Sequence, residues 1–321
     1  MSWSSPGGPG RLAGDGAVVA RAPAKVNVHL AVGPLRSDGF HALRTVYLAV
    51  SLFDTVTVRP GRGLSLTVTG EGTTGRGPDA VPTDRRNLVW RAAELLADRA
   101  GVPADAAIAV DKSIPAAAGL AGGSADAAAA LVALDALWGT HATRGELTAL
   151  AAELGSDVPF GLLGGVALGS GRGEQLSPVL ARRRWHWVLG IAAEGLSTPA
   201  VYAELDRLRA EGRVPDGAQL ASPEPVIAAL RSGPVPALAA ALGNDLQTPA
   251  VSLRPDLRRA LRAATGAGAA AAIVSGSGPT VAALVEDEDA AVRMTASLAG
   301  EGVYRTVRAV HGPVPGARLV G

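Results

Sequence analysis

Cysteine is absent from the 321-residue chain, which therefore can form no disulfide, thiolate metal site or cysteine nucleophile. The five histidines are scattered, and none belongs to an HExxH pattern, which argues against a transition-metal site. No run of ~18 apolar residues occurs, and the first sixteen residues lack the apolar segment of a secretory signal. We therefore expect a cytoplasmic protein that does not cross a membrane.

An excess of charge is also absent, because 30 basic residues face 29 acidic ones. This balance provides no broad basic surface for nucleic acid or an anionic membrane. Only two of the basic residues are lysines, Lys25 and Lys112. Since arginine is used almost everywhere else, a lysine hints that a compact ammonium is needed. Lys112 matches no catalytic pattern and is predicted to be a solvated residue at a strand end.

Glycine, serine and proline dominate residues 1–15, which are predicted to be a disordered tail. Strands and helices then mix without strict alternation, which favours an α+β fold. The predicted strands cover 17–32, 43–51, 55–58, 64–68, 107–111, 165–169, 175–180, 185–191, 269–274, 281–285 and 304–310. The predicted helices cover 87–99, 122–138, 144–154 and 287–299, with further helices between prolines up to about 264. The pattern changes near residue 180.

Three glycine-rich loops compete as nucleotide-binding segments. Gly70–Gly75 matches GxGxxG, but prolines follow where a helix would have to begin, so a surface hairpin loop is favoured. No GxxxxGK[ST] occurs, which excludes a P-loop. The segment 114–131, IPAAAGLAGGSADAAAAL, instead lies between a predicted strand and a predicted helix.

Free N–H groups and the positive end of the helix dipole point at one place at that junction. Gly119, Gly122 and Gly123 have no Cβ, and Ser124 adds a hydroxyl that can reach a phosphate or its Mg²⁺. The alternative is close packing of helix on sheet through small residues. The segment taken alone leaves both interpretations open.

Four more segments complete a set: PAKVNVHL at 23–30, SDGFHAL at 37–43, GSDVPF at 155–160 and VSGSGPT at 274–280. With the glycine segment, they resemble the GHMP kinase superfamily over about residues 17–310. PAKVNVHL and DGFHAL are similar to the branch whose acceptor is a diphosphocytidyl methylerythritol of the non-mevalonate isoprenoid pathway.

The resemblance implies a two-domain α+β fold. The N-terminal domain, at 16–180, would be like ribosomal protein S5, and the C-terminal domain, at 181–321, would be ferredoxin-like. It also implies transfer of phosphate from ATP, with Mg²⁺, to the 2-hydroxyl of that small-molecule acceptor.

Two catalytic residues follow from the resemblance. Asp157 would accept or orient the proton of the acceptor hydroxyl, and Lys25 would pair with it and stabilise charge moving toward the γ-phosphate. The local sequence permits a plainer view, in which Asp157 caps the next helix and Lys25 is a solvated strand residue.

Substrate binding is expected at Asn27, which shares a strand face with Lys25, and at Phe40 and His41. Phe40 would stack on the pyrimidine and His41 would hydrogen-bond its edge. Without the resemblance, Phe40 would be expected in the core and His41 on the surface. ATP binding is expected at Pro115, Ala116, Ala117, Ala118, Gly119, Leu120, Ala121, Gly122, Gly123, Ser124, Ala125, Ser275, Gly276, Ser277 and Gly278. For the metal, the sequence offers only Ser124, acting through Mg-ATP.

Other functions compete with this one. A non-catalytic ligand sensor of the same fold would keep the glycine loop and lose the pair Lys25 and Asp157. Another small-molecule kinase of the superfamily, or a diphosphomevalonate decarboxylase, would lack DGFHAL. The sequence leaves a monomer and a homodimer equally open.

Overall fold

Residues 16–73 and 81–320 are described by the structure, a computed structural model. The predicted tail at 1–15 lies outside the described residues, as do 74–80, which include the end of the GxGxxG match. None of the helices in residues 16–73 and 81–320 combines the length and the apolar character that a membrane-spanning helix needs.

Two sheets organise the fold. Within the described residues the first sheet comprises β1 (Val18–Leu35), β2 (His41–Arg59), β3 (Leu64–Thr69), β4 (Ala106–Asp111), β5 (Val166–Ser170), β6 (Gln175–Pro178), β8 (Gly243–Asn244) and β12 (Arg318–Leu319). The second comprises β7 (Trp185–Ile191), β9 (Ala271–Val274), β10 (Val281–Val285) and β11 (Thr306–Gly312), in the order β11-β7-β10-β9. The predicted domain boundary falls between β6 and β7, although β8 and β12 return to the first sheet.

Helices cover both sheets. They are α1 (Leu88–Ala100), α2 (Gly122–Trp138), α3 (Arg144–Leu154), α4 (Val158–Leu163), α5 (Thr198–Ala210), α6 (Glu224–Ser232), α7 (Val235–Ala241), α8 (Gln247–Leu253), α9 (Leu257–Gly266) and α10 (Glu288–Gly300). Local signals fix several ends: the Asn87 side chain accepts from the Val89 N–H to begin α1, and Thr143 and Glu146 form a capping box at α3.

β1 and β2 are the two longest strands of the first sheet, and they pair antiparallel along most of their length. The sequence predicts two separate strands at 43–51 and 55–58, whereas the structure has one continuous strand. The register shifts between Pro23 and Ala24, whose partners are Phe53 and Val50, so two residues of β2 bulge out there. The bulge breaks the alternation of apolar residues, which is why the pattern looked like two strands.

α2 is the central helix and packs against β1, β2, α1 and α4. It is apolar around most of its circumference, and its run of alanines is fully buried. A helix with this pattern lies inside a core rather than on a surface. Its first turn, at Gly122, is therefore held in a fixed place relative to the first sheet.

Lys112 is buried, with 1% of its surface exposed, so the prediction of a solvated strand-end residue is wrong. Its Nζ lies 2.6 Å from Asp54 Oδ2 on β2 and 2.6 Å from Asp126 Oδ2 on α2. Asp54 Oδ1 also accepts from the backbone N–H groups of Ser113 and Ile114, at 2.6 and 2.7 Å. Lys112 thereby ties a strand, the central helix and the start of the glycine segment together.

The two carboxyl groups of this cluster repel each other and both attract the ammonium of Lys112 between them. Burial alone would lower the pKa of Lys112, but the carboxylates of Asp126 and Asp54 outweigh it and raise the pKa. Burial raises the pKa of Asp126 well above its usual value, and the charge of Asp54 adds to this. Removing the ammonium would leave two carboxyl groups in the core without their cation.

We expect Lys112→Ala to lower the free energy of unfolding by ~3–5 kcal/mol, the usual cost of breaking a buried ion pair by removing one partner. Urea unfolding followed by circular dichroism measures this change. The control is Arg62→Ala, which removes an exposed cation near β3 and should change stability by less than ~0.5 kcal/mol. Equal, small losses in both variants would contradict the structural role of Lys112.

Candidate active site

A cavity of about 710 Å³, here called the central cavity, lies where the glycine segment, β1, β2 and α5 meet. All five residues predicted for catalysis and acceptor binding line it: Lys25, Asn27, Phe40, His41 and Asp157. So do nine of those predicted for ATP: Ala117, Ala118, Gly119, Ala121, Gly122, Gly123, Ser124, Gly276 and Ser277. The structure thus brings together segments that are up to about 250 residues apart in sequence.

Six residues predicted for ATP do not line the central cavity: Pro115, Ala116, Leu120, Ala125, Ser275 and Gly278. Leu120, Ala125 and Ser275 are buried behind the lining. Pro115 lines a separate, smaller cavity with Arg305 and Arg308. Leu120 lies within the segment 117–124, the other five residues lie next to the segments 117–124 and 276–277 in sequence, and none of the six faces the cavity.

The glycine segment and the loop 275–280 touch backbone to backbone. A Cβ on Gly119, whose φ is +77°, would lie 2.3 Å from the carbonyl oxygen of Ser275. Ser275 Oγ donates to the Gly119 carbonyl at 3.0 Å, and the Thr280 N–H donates to the Ala118 carbonyl at 3.3 Å. Glycine is therefore required at 119 for the contact between the loops and for its backbone conformation.

The first turn of α2 opens toward the cavity at Gly122, Gly123 and Ser124. The residue before it, Ala121, has φ +58° and makes no side-chain cap, so nothing of its own covers the first N–H groups. A Cβ on Gly123 would meet only Leu88, at 4.0 Å, whereas one on Gly122 would lie 3.0 Å from Ile114 Cγ2. Packing against Ile114 thus restricts the side chain that position 122 can accept. At position 123 the protein leaves room for a side chain, and only a ligand in the cavity would restrict it.

Two alanines of the segment are strained. Ala117 and Ala121 have φ of 51° and 58°, in the left-handed region that costs a residue with a Cβ roughly 1–2 kcal/mol. Glycine adopts this conformation more readily than alanine does. The backbone reaches the glycine-like conformation regardless, so the turn is set by its surroundings rather than by the residue.

Lys25 is buried on β1 and its ammonium is held by three groups. Nζ donates to Asn27 Oδ1 at 2.5 Å and to the Gly119 carbonyl at 3.2 Å, and it lies 3.8 Å from Asp157 Oδ2. Burial lowers the pKa of Lys25, and the charge of Asp157 opposes that effect. The plainer view of a solvated strand lysine is therefore wrong.

Asn27 serves this lysine as well as lining the cavity. Its Nδ2 donates to Thr45 Oγ1 at 2.8 Å, and Thr45 Oγ1 donates to the His29 carbonyl. This chain fixes the amide so that its oxygen faces Lys25. The amide of Asn27 is thus occupied on both sides by protein groups.

Asp157 occupies the N-cap position of α4, but its side chain caps no N–H group of that helix. Its Oδ1 instead accepts from the Tyr47 hydroxyl at 3.0 Å, and 31% of the side chain remains exposed. Burial and the charge of Asp157 raise the pKa of Tyr47 well above its usual value. Tyr47 therefore stays protonated and donates, which leaves Oδ2 available to a ligand.

Two aromatic residues and a histidine, Phe40, Tyr202 and His41, also line the cavity. Phe40 is 48% exposed, while His41 is only 7% exposed, which reverses the expectation for a core phenylalanine and a surface histidine. His41 Nε2 lies 2.9 Å from Asp206 Oδ1, and its ring centroid lies 5.1 Å from that of Tyr202. The carboxylate favours the tautomer with the proton on Nε2, so Nδ1 is left as an acceptor.

Sequence reasoning missed several residues of this site: Tyr47, Arg172, Thr198, Tyr202 and Asp206 all line the cavity. Tyr202 and Asp206 are four residues apart and so share a face of α5. That spacing is the only local signal, and it is equally typical of an ordinary solvated helix. Their contacts with His41 depend on how α5 packs, and the local sequence pattern does not predict that packing.

Comparisons with known proteins identify the family to which this chain belongs. Models of the GHMP kinase N-terminal and C-terminal domains match residues 87–165 and 226–303. A 4-diphosphocytidyl-2-C-methyl-D-erythritol kinase of Rhodococcus jostii (strain RHA1) is 59% identical over 303 residues, 94% of this chain and 95% of that protein.

Solved structures of kinases are similar to this structure over nearly the whole chain. A 4-(cytidine 5'-diphospho)-2C-methyl-D-erythritol kinase has a TM-score of 0.72 at 34% identity, covering 94% of this chain and 99% of its own. A homoserine kinase from Cytophaga hutchinsonii, at 19% identity, has a TM-score of 0.70 with full coverage of both chains and shows the shared fold alone. The predicted two-domain α+β fold class is confirmed. The chain belongs to the GHMP kinases, in the family of the 4-diphosphocytidyl-2-C-methyl-D-erythritol kinases.

Proposed function

We propose that the chain phosphorylates the 2-hydroxyl of 4-diphosphocytidyl-2-C-methyl-D-erythritol with ATP, in the cytoplasm, as a step of the non-mevalonate isoprenoid pathway. The observation that carries the proposal is the position of Lys25 and Asp157. They form an ion pair in a cavity that is also lined by the first turn of α2 and by Phe40, His41 and Tyr202. A phosphate donor at the start of α2 and a nucleotide-linked acceptor at the aromatic rings would meet at this pair.

Asp157 receives the proton of the acceptor hydroxyl through Oδ2, because Oδ1 is engaged by Tyr47. The hydroxyl oxygen then forms a bond to the γ-phosphorus, the bond from that phosphorus to the bridging oxygen breaks, and ADP leaves. Lys25, close to Asp157 Oδ2 and to the Gly119 carbonyl, stabilises negative charge at the transferred group. Phosphoryl transfer asks mainly for such positioning and charge stabilisation.

The residues around α2 fit a triphosphate. Gly122, Gly123 and Ser124 line the cavity and begin a 17-residue helix, whose first N–H groups have no partner within the helix and so favour an anion there. Within the described residues, no cluster of three acidic, histidine or cysteine side chains could hold a metal. Ser124, in the first turn of α2, would hold Mg²⁺ together with the nucleotide phosphates, and the ion would neutralise phosphate charge.

The acceptor's base would lie against Phe40, with His41 reading its edge. Asp206 engages His41 Nε2, so Nδ1 accepts a hydrogen bond from the ligand. The exocyclic amino group of cytosine is a donor, whereas uracil has a carbonyl at that position. The pair His41 and Asp206 thus favours cytosine over uracil.

A panel of acceptors tests the proposed function. Purified protein is incubated with ATP and, separately, with the diphosphocytidyl methylerythritol, homoserine, mevalonate or diphosphomevalonate, and ADP release is measured. We expect release with the first acceptor alone. ADP release with another acceptor would assign a different superfamily activity, and none with any acceptor would favour a ligand sensor.

Asp157→Asn should lower kcat by roughly 10²–10⁴ and leave KM for ATP nearly unchanged, because the amide cannot take the proton. Steady-state kinetics on the folded variant measure this. Asp98→Asn, on the exposed face of α1, is the control and should behave like the wild type. A near-wild-type kcat in Asp157→Asn would remove the aspartate from the chemistry.

Gly123→Val should raise the Kd for ATP at least ~tenfold, about 1.4 kcal/mol, with little change in melting temperature. The reason is that Gly123 belongs to the cavity lining and that its Cβ would meet no protein atom closer than Leu88 Cδ1, at 4.0 Å. Gly122→Val is the matched comparison, because its Cβ would press on Ile114 and should lower the melting temperature. If Gly123→Val loses stability and ATP binding together, the glycine is there for packing instead.

His41→Ala should raise KM for the diphosphocytidyl acceptor at least ~tenfold, about 1.4 kcal/mol, and leave KM for ATP nearly unchanged. His186→Ala, which removes a histidine of β7 outside the cavity lining, is the control. Equal effects of His41→Ala on both substrates, or no effect, would remove His41 from the acceptor site.

A further inference from the structure

Arg172 has an unusual position for an arginine. It is half-buried in the turn between β5 and β6, it lines the central cavity, and its guanidinium lies 4.8 Å from the ring centroid of Phe40. Within residues 16–73 and 81–320, that guanidinium makes no hydrogen bond or ion pair. Arginine has five N–H donors, and those of a half-buried side chain usually have partners. The donors of Arg172 are therefore available to a ligand in the cavity that this residue lines.

The turn that carries Arg172 is fixed from three sides. The Leu43 N–H donates to the Gly171 carbonyl at 2.8 Å, and the Arg172 N–H donates to Glu174 Oε2 at 2.7 Å. A Cβ on Gly173 would lie 2.3 Å from the Tyr47 hydroxyl oxygen, so the turn presses against the tyrosine that holds Asp157. Arg172 therefore lies between Phe40, at the base end, and the Tyr47–Asp157 pair, at the reaction end.

The distribution of charge along the cavity singles out the same residue. Among the described lining residues, the lysine and arginine side chains are Lys25 and Arg172. The ammonium of Lys25 is already engaged by Asn27, Gly119 and Asp157. An acceptor whose base lies at Phe40 and whose hydroxyl lies at Asp157 must pass its diphosphate between them, where Arg172 is the cation with unused donors.

We propose that Arg172 binds the diphosphate bridge of the acceptor and so makes the site specific for a nucleoside diphosphate derivative over an uncharged nucleoside. This inference rests on the proposed function, because it takes the two ends of the acceptor from it. A guanidinium presents paired N–H groups that match phosphate oxygens, which a lysine ammonium does not reproduce.

Binding of two probes separates this role from a structural one. The Kd values of cytidine 5′-diphosphate and of cytidine are measured by calorimetry, with a non-hydrolysable ATP analogue saturating the donor site. The wild type should bind the diphosphate at least ~tenfold more tightly than cytidine. Arg172→Gln should abolish most of that preference without changing the Kd of cytidine, and Arg172→Lys should keep part of it.

Arg36→Gln is the matched control, since Arg36 belongs to the turn before Phe40, pairs with Asp38 and does not line the cavity. It should retain the wild-type preference. If Arg172→Gln weakens both probes equally, the residue only supports the Phe40 ring, and the proposal is overturned. It is overturned as well if the wild type shows no preference for the diphosphate.

These outcomes are distinct from failure of the proposed function. A wild type that phosphorylates the diphosphocytidyl acceptor, with an unchanged probe ratio in Arg172→Gln, contradicts the role of Arg172 alone. A wild type that releases no ADP with that acceptor contradicts the function, whatever the binding ratio.

Discussion

The site depends on two hydrogen bonds that the backbone carbonyl of Gly119 accepts. The carbonyl accepts from the Lys25 ammonium and from the Ser275 hydroxyl, so the glycine segment, β1 and the loop 275–280 are held at fixed distances. The missing Cβ atoms make this approach possible. One on Gly119 would strike the Ser275 carbonyl, and one on Gly276 would lie 2.9 Å from Asn27 Oδ1. Because three distant parts of the chain meet at one carbonyl, a change in any of them would displace Lys25 from Asp157.

Both lysines of the chain are buried beside carboxylates, and they divide two tasks. Lys112 fixes where the glycine segment starts, through Asp54 and Asp126, and Lys25 lies where that segment meets Asp157. One ammonium thus positions the loop and the other faces the reacting groups. The scarcity of lysine pointed toward both residues. The ion pairs of Lys112 could not be predicted from the sequence, because its partners Asp54 and Asp126 are 58 and 14 residues away.

The sequence was most informative where one motif carries its own geometry. The predicted limits of α2 and α3 match the structure to the residue, and a glycine directly follows each helix, Gly139 and Gly155. The family resemblance predicted that Lys25, Asp157, Phe40 and His41 belong to one site, and in the structure all four line one cavity. The bulge in β2 and the partners of His41 could not be predicted, because register and the packing of α5 are set by contacts distant in sequence.

The most direct test of the account is a crystal structure of the protein with a non-hydrolysable ATP analogue and the diphosphocytidyl acceptor bound together. We expect the triphosphate at Gly122–Ser124, the cytosine on Phe40, and the acceptor 2-hydroxyl within hydrogen-bond distance of Asp157 Oδ2. An acceptor hydroxyl bound away from Asp157, or a triphosphate bound away from the start of α2, would contradict it.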